Sequence, residues 1–297
     1  MYPSYYDKGN WGRWGKDDER GTLNLITPDV VKKAAGLVKT GKVYTLGLPI
    51  RHNANGGPNF PGRVPPTHVA MYVKGGPDGF GGGDDYLAIN THNAPSHMDA
   101  LGHFFMADRL YNNHSTDALT SAGTEKCGID KVGAIVTRGI LLDIARYKGV
   151  DHLKFGEVIS GDDLVKCAEW QGLKFEVGDA VLIRTNYLSQ FDPLKPEHYF
   201  DGCPGIGLST VEVFDKNGTA AVGADTAYIE AHPSEANDPV KVVPVHEQLL
   251  WKRGMQLLEI LDLEPLANDK VYEFMLVVNP LRIQGGLGSP INPVAIA

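Results

Sequence analysis

The chain has 297 residues, of which 42% are apolar and 22% charged, and this ordinary globular balance excludes general disorder. The net charge is −8 and no run rich in lysine and arginine occurs, so nucleic acid is not expected as a partner, because phosphate binding needs a basic surface. The sequence contains no stretch of about 18 apolar residues, the length that a membrane-spanning helix needs. No membrane partner is therefore expected either.

The cysteines and the first residues of the chain bear on its location. Cys127, Cys167 and Cys203 are far apart and form no CxxC pair. A cysteine zinc site and a disulfide scaffold are therefore not expected. Residues 1–6 lack the basic and apolar regions of a signal peptide, so we predict a cytoplasmic protein.

The first ninety residues predict one helix, several strands and two long loops. Residues 1–26 are aromatic and polar, and we expect an irregular arm that lies over a neighbouring surface. Thr27 followed by Pro28 is typical of a helix start, and this helix is predicted to end near residue 38. Strands are predicted at 43–50, 67–73 and 86–90, with glycine- and proline-rich loops at 51–66 and 75–85. Loops of this length are often functional.

After residue 133, apolar runs alternate with helical segments. Ser160–Gly172 has a cap, helical spacing and a terminal glycine, and Ala180–Arg184 has the short apolar pattern of a buried strand. A strand or a hairpin is predicted at 133–144. Further strands are predicted at 220–223, 257–261 and 272–278, and further helices at 208–215 and 243–253. Because some strands follow one another directly, we predict an α/β fold with a mixed sheet. The sequence has no internal repeat, low-complexity linker or clear domain boundary, so we predict a single domain over 1–297.

Three of the ten histidines lie close together around one aspartate. His92, His97 and His103 fall within a dozen residues, and Asp99 lies among them. Residues two apart on an extended backbone point to the same side, so His97 and Asp99 can reach one ion. Imidazole and carboxylate together suit Zn²⁺ or Mn²⁺, so we predict a divalent metal here; polar loop or core histidines are the alternative.

Further ligands must come from elsewhere in the chain, and His246 and Glu259 are the best candidates. Glu259 lies in the apolar run Leu257–Leu261, where a buried carboxylate is unfavourable unless it is paired or bound to metal. The alternative is that Glu259 ends a strand and faces solvent, or pairs with Arg253. Composition alone leaves these possibilities equal.

Other chemistries have weaker patterns. No G-x-S-x-G elbow is present, so the corresponding serine hydrolases lack their signature. The segment Gly202–Gly207 resembles a phosphate-binding loop only loosely, and a tight structural loop is the better interpretation. A nucleotide-dependent oxidoreductase using this loop is thus the weakest alternative. Cys203 as a nucleophile has no local base to support it.

The segment around His97 resembles the signature of the cyclase-like metal-dependent amidohydrolases, a family that includes kynurenine formamidases, isatin hydrolases and cyclic imide hydrolases. The family pattern is H-x-G-T-H-x-D-x-P-x-H. Ser96-His97-Met98-Asp99 matches T-H-x-D, and His103 matches the last histidine. Weaker matches extend the likeness over most of residues 43–262: Val43–Leu46, Phe60-Pro61-Gly62, Ala224-Asp225-Thr226, Val245-His246 and Gly254–Glu259.

The chain departs from this pattern at the first histidine. That position is occupied by Asn93, and His92 is one residue out of place, while Leu101 replaces the proline. Either Asn93 binds through its amide oxygen or a local bulge presents His92. This departure points to one ion where some relatives hold two.

The resemblance implies a set of roles for individual residues. His97, Asp99, His246 and Glu259 map onto metal ligands, and His103 maps onto a general acid/base. Phe60 maps onto an aromatic residue that packs on the substrate. The implied fold is a mixed sheet with a barrel-like part and flanking helices, of the swivelling β/β/α type, assembled as a homodimer or homotetramer.

The implied activity is hydrolysis of a small cyclic amide or imide, or a related N-acyl bond, by metal-activated water. The ion lowers the pKa of water and polarises the carbonyl, and His103 passes a proton to the leaving nitrogen. A lactone hydrolase on the same site is the alternative enzyme. A non-catalytic metal- or ligand-binding relative is the alternative of another class, and it predicts metal binding without turnover.

Overall fold

The structure is a computed structural model that describes residues 9–51, 58, 60, 62–93, 95–236 and 243–297. Residues 1–8 of the predicted arm, part of the predicted loop at 51–66, Pro61 and Ala94 lie outside the described residues. None of the helices in the described ranges is long and apolar enough to cross a membrane.

Short strands dominate the described part of the chain. In chain order they are β1 (Val43–Thr45), β2 (Thr67–Val73), β3 (Gly82–Ala88), β4 (His97–Asp99), β5 (Leu119–Thr120), β6 (Gly123–Thr124), β7 (Ile135–Asp143), β8 (Val158–Ile159), β9 (Ala180–Arg184), β10 (Gly205–Ile206), β11 (Ala221–Ala224), β12 (Gln256–Glu259), β13 (Glu273–Val278), β14 (Gly288–Pro290) and β15 (Val294–Ile296). The helices are α1 (Pro28–Ala35), α2 (Ile144–Tyr147), α3 (Gly161–Trp170), α4 (Thr210–Asn217), α5 (Pro244–His246) and α6 (Glu264–Asp269).

Nine of these strands form one mixed sheet in the order β1-β15-β13-β7-β9-β11-β12-β4-β14. The central strands β7, β9, β11 and β12 run parallel to one another, and the outer pairs are antiparallel. Every residue of β9 and β11 is buried, as expected for parallel strands covered on both faces. Alternate side chains of these strands enter two separate cores.

The sheet curls into a half-barrel. Gly47, just after β1, forms an antiparallel bridge with Leu261, just after β12. The amide of Asp262 donates to the carbonyl of Leu46 at 2.8 Å. The edge strand β1 is thereby brought back to the opposite half of the sheet. The predicted mixed α/β fold with a barrel-like part and flanking helices is confirmed.

Several predicted elements are confirmed because their signals are local. The Thr27 hydroxyl accepts from the amide of Val30 at the start of α1, and Ser160 forms a capping box with Asp163 at the start of α3. The predicted strand Ala180–Arg184 is found with those bounds as β9.

Other predicted bounds are wrong. The predicted strand at 43–50 ends at Thr45, and the predicted loop at 75–85 ends earlier because β3 begins at Gly82. Backbone pairing with β2 continues through these glycines and needs no side chain. The predicted helix at 243–253 is found with nearly those bounds, as α5 followed by a π-helical segment, Glu247–Arg253, which ends at Gly254 in a left-handed conformation.

The described part of the N-terminal arm lies on its own chain. Trp11 donates from its indole N–H to the carbonyl of Trp251 at 2.7 Å, and the two rings meet edge to face. The hydroxyl of Thr22 donates to the carbonyl of Ala220 at 2.7 Å. These contacts hold the arm against the π-helical segment and against Ala220, the residue that precedes β11.

Candidate metal centre

Strand β4 carries the centre of the predicted motif into the interior. It pairs with β12 on one side and β14 on the other, so that His97 lies opposite Glu259 and Asp99 lies opposite Gly288. His97 and Asp99 are two residues apart on this strand and are 4% and 1% exposed. The extended backbone predicted from the H-x-D spacing is therefore found.

Glu259 is buried beside two histidines. Its Oε2 lies 3.2 Å from Nε2 of His97 and its Oε1 lies 3.4 Å from Nε2 of His246. Burial alone would raise the pKa of Glu259, but the hydrogen bonds and charges of His246 and His97 hold it well below its usual value. The alternative pairing with Arg253 is wrong, since Arg253 donates to Asp215 at 2.5 Å.

His246 is oriented by a carboxylate that the sequence did not reveal. Glu230 accepts the amides of Val245 and His246 at 2.9 and 2.8 Å, and its Oε1 lies 2.6 Å from Nδ1 of His246. Burial opposes protonation of His246, but Glu230 raises its pKa well above the usual value. A carboxylate at Nδ1 leaves Nε2 facing the centre, which is the usual arrangement behind a metal-binding histidine.

The structure brings His92, and not Asn93, to the centre. Oδ1 of Asn93 accepts the amide of Phe60 at 2.5 Å, and its Nδ2 donates to the carbonyl of Val64 at 3.1 Å, so both polar ends hold the neighbouring loop. Nε2 of His92 lies 3.4 Å from Oδ1 of Asp99. Gly288 makes room for this ring, because a Cβ there would lie 2.5 Å from Nε2 of His92.

Two buried polar atoms in this cluster lack hydrogen-bond partners among the described residues. They are Nε2 of His92 and Oδ1 of Asp99. Burial lowers the pKa of His92 to about 3, so its ring is neutral at pH 7. Polar atoms buried in this way need an explanation, and a cation between a neutral imidazole and a carboxylate supplies one.

Asp99 is shared by two groups whose donor atoms could hold an ion. One group is His92, Asp99 and His103, and the other is His97, Asp99 and Glu259; within each, the donor atoms lie within 4.8 Å of one another. Oδ2 of Asp99 also lies 3.8 Å from Nε2 of His246. The donor set of nitrogens and oxygens fits Zn²⁺ or Mn²⁺.

His103 lies at the edge of the cluster, at the end of the short 3₁₀ turn Leu101–His103. Its ring stacks on that of His92, with the ring centres 3.9 Å apart. Burial lowers the pKa of His103, so its ring is neutral and able to accept a proton at pH 7.

A pocket of about 180 Å³ opens over the cluster, and aromatic side chains form one of its walls. The ring of Phe60 meets those of Phe200 and Tyr228 edge to face, at 5.2 and 5.9 Å. The guanidinium of Arg63 lies 4.4 Å above the centre of the Phe60 ring, and its Nη1 donates to the carbonyl of His92. Of the residues in this wall, only Phe60 was identified from the sequence. Arg63 could have been identified from its position directly after Phe60-Pro61-Gly62.

Comparison with known proteins fits this geometry. A model of the Cyclase family matches residues 39–231, about two thirds of the chain. The chain belongs to the Cyclase family. No protein with a curated description showed significant similarity to it.

Solved structures place this Cyclase-family chain among similar folds. A protein described as a novel cyclase is 36% identical, with a TM-score of 0.87 and coverage of 97% of both chains. Isatin hydrolase A from Ralstonia solanacearum is 17% identical, with a TM-score of 0.61 and coverage of 91% of this chain and 97% of that chain. A predicted metal-dependent hydrolase from Bacillus stearothermophilus is 19% identical, with a TM-score of 0.54 and coverage of 86% and 97%.

The weaker candidates from the sequence have structural roles in this Cyclase-family chain. Cys203 is fully buried and burial raises the pKa of its thiol to about 12, so it is not a nucleophile at neutral pH. Gly205 belongs to β10, and a Cβ there would lie 2.3 Å from the backbone of Glu230. The glycines around Cys203 thus permit close packing beside the residue that orients His246.

Proposed function

We propose that this chain is a metal-dependent hydrolase that opens a small cyclic amide or imide, or a related N-acyl bond. The observation that carries the proposal is the buried pair of unpartnered atoms, Nε2 of His92 and Oδ1 of Asp99, inside a cluster of histidines and carboxylates. Membership of the Cyclase family and the fold shared with isatin hydrolases support it.

The ion would be held by residues from four parts of the chain: His92, His97 and Asp99, His246, and Glu259. The hydrogen bonds of the Asn93 amide favour His92 as the ligand at the position where the family pattern has its first histidine. A divalent ion in such a set lowers the pKa of water toward neutrality and polarises a carbonyl.

The protein's own groups would perform the proton transfers and hold the substrate. His103 is neutral and adjoins the cluster, so we assign it to accept a proton and return it to the leaving nitrogen. Glu230 keeps Nε2 of His246 turned toward Glu259 and Asp99. Both tasks need the side chains to be fixed before the substrate arrives.

The pocket favours a small, flat substrate. Its volume of about 180 Å³ accommodates a compact ring, and the edge-to-face cluster of Phe60, Phe200 and Tyr228 offers an apolar wall for it. Arg63 adds a positive charge beside this wall. We therefore propose that the ring lies against Phe60 and that the scissile carbonyl faces the donor atoms that would hold the ion.

The proposal is tested by elemental analysis of the purified protein, followed by assays with and without a chelator on imides, isatin, N-formylkynurenine and lactones. We expect about one zinc or manganese per chain and turnover of an amide or imide that chelation abolishes and added metal restores. Turnover of lactones alone would assign an esterase. Bound metal with no turnover of any compound in the panel would favour a binding protein.

The choice between His92 and Asn93 is tested by a pair of variants. His92→Ala is expected to weaken zinc or manganese binding roughly 100-fold or more, because it removes a nitrogen donor. Asn93→Ala is expected to keep the affinity within a few-fold and to raise KM instead, because it releases the amide of Phe60. Calorimetric titration of the metal-free proteins measures the difference, and the reverse order of affinities would make Asn93 the ligand.

A further inference from the structure

Arg63 differs from the other arginines that are withdrawn from solvent. Four arginines in the described part of the chain are buried or half-buried and form ion pairs with aspartate or glutamate: Arg138, Arg146, Arg184 and Arg253. Arg63 is half-buried as well, but its guanidinium meets a carbonyl and a ring, and no carboxylate among the described residues. Because a cation withdrawn from water without a counter-charge is unfavourable, its position needs an explanation.

Two contacts hold Arg63 along the wall of the pocket. Its Nη1 donates to the carbonyl of His92 at 2.5 Å, and its Cζ lies 4.4 Å from the centre of the Phe60 ring. A guanidinium carries several N–H groups, and stacking over a ring uses none of them. The Nε and Nη2 groups donate to no acceptor among the described residues, so one edge of the guanidinium is available to a ligand.

The acidic groups of the pocket do not neutralise Arg63. Among the described residues that line it, the carboxylates are Asp99 and Glu259. Oδ1 of Asp99 lies 3.4 Å from Nε2 of His92. Oε2 of Glu259 lies 3.2 Å from Nε2 of His97. Both carboxylates belong to the groups that would hold the ion, so the charge of Arg63 is left to a ligand in the pocket.

We propose that Arg63 selects substrates that carry a carboxylate on the ring whose amide or imide bond is opened, an inference that rests on the hydrolase function proposed above. The planar fork of a guanidinium matches the two oxygens of a carboxylate and binds them through paired, charge-assisted hydrogen bonds. Partial burial strengthens this attraction, because less water screens the two charges. The substrate class is thus a small, flat, acidic cyclic amide or imide, and the neutral ring alone is a poorer substrate.

A purely structural role for Arg63 leads to a different expectation. Arg63 would then serve only to hold the segment that carries His92, and its replacement would weaken the binding and turnover of acidic and neutral compounds alike. A role in selection changes the ratio between the two kinds of compound. Comparing an acidic compound with a neutral one of similar shape therefore separates the two roles.

Calorimetric titration with benzoate and with acetophenone, a neutral compound of similar shape, tests the proposal without any turnover. We expect the wild type to bind benzoate roughly tenfold or more tightly than acetophenone, and Arg63→Gln to lose this preference, because it removes paired hydrogen bonds to a charged group. The titration is made on the purified protein and repeated after chelation, since a carboxylate can also bind a metal ion. Arg282→Gln is the matched control, because Arg282 is exposed outside the pocket, and it should bind both compounds like the wild type.

Kinetics on isatin and isatin-5-carboxylate measure the same selection during turnover. In Arg63→Gln, the ratio of kcat/KM for the acidic compound to that for the neutral one is expected to fall roughly 10–100-fold, mainly through KM for the acid. Arg63→Lys keeps the charge but lacks the planar fork, so an intermediate ratio and an intermediate preference for benzoate are expected. This second variant also serves if the pocket of Arg63→Gln no longer binds acetophenone.

Two results would overturn the proposal: a wild type that binds benzoate no more tightly than acetophenone, or an Arg63→Gln protein that keeps the preference. A loss of the same size for acidic and neutral compounds would also overturn it and assign Arg63 the structural role. Preference for benzoate that depends on Arg63, in a protein that turns over no compound of the panel, would support recognition of the carboxylate by Arg63 and refute the hydrolase.

Discussion

An Asp99→Asn variant is expected to lose its bound ion and its turnover together. Asp99 is 1% exposed, belongs to both groups of donor atoms, and lies within 3.8 Å of His92, His97 and His246. Replacing the carboxylate removes the charge that holds the ion, so we expect metal binding to weaken roughly 100-fold or more and turnover to fall roughly 1,000-fold. Elemental analysis, metal titration and the amide assay measure both.

The metal-free state separates ligand loss from misfolding. Without metal, Asp99→Asn is expected to unfold within about 1 kcal/mol of the wild type, because asparagine has the shape of aspartate and replaces one buried polar atom with another. Asp262→Asn is the matched control: that carboxylate accepts the amide of Glu264 at 3.3 Å outside the pocket and should leave metal content unchanged. An Asp99→Asn protein with full metal and wild-type turnover would contradict the proposed centre.

His103→Ala is expected to lower kcat by roughly 10²–10⁴-fold while the protein keeps its metal. His103 stacks on His92 at the edge of the cluster, and its lowered pKa keeps the ring neutral at pH 7. In the wild type, protonation of this ring should therefore lower the rate at acidic pH. Because the pKa of the ring is lowered, this fall should occur below pH 6.5, which is about the usual pKa of histidine. This acidic limb should be absent from the pH profile of the variant.

The exposed histidine His198 supplies the comparison for this variant. His198→Ala should retain both kcat and the acidic limb, since its side chain lies outside the pocket. If His103→Ala lost metal in proportion to activity, His103 would be a ligand and not the proton-transfer group. Unchanged kcat with the metal present would remove it from the reaction altogether.

The local parts of the fold and site were predictable from the sequence. Helix caps at Thr27 and Ser160 and the buried strand Ala180–Arg184 depend on residues a few positions apart, and each is found. The same holds for His97 and Asp99, because the two-residue repeat of an extended strand places both side chains on one side.

The arrangement of distant residues came only from the tertiary structure. The position of Glu259 beside His97 follows from the order of β12, β4 and β14 in the sheet, and no sequence spacing encodes that order. Glu230, the carboxylate behind His246, has no motif of its own, and its role depends on the backbone of Val245 and His246.

The departure from the family pattern shows this division most clearly. The resemblance left two candidates: Asn93, which occupies the position of the first histidine in the pattern, and His92, which is one residue out of place. The fold turned the ring of His92 toward Asp99 and used both ends of the Asn93 amide to hold Phe60 and Val64. The space for that ring comes from Gly288, almost two hundred residues away, because packing contacts are set by three-dimensional proximity and not by distance along the chain.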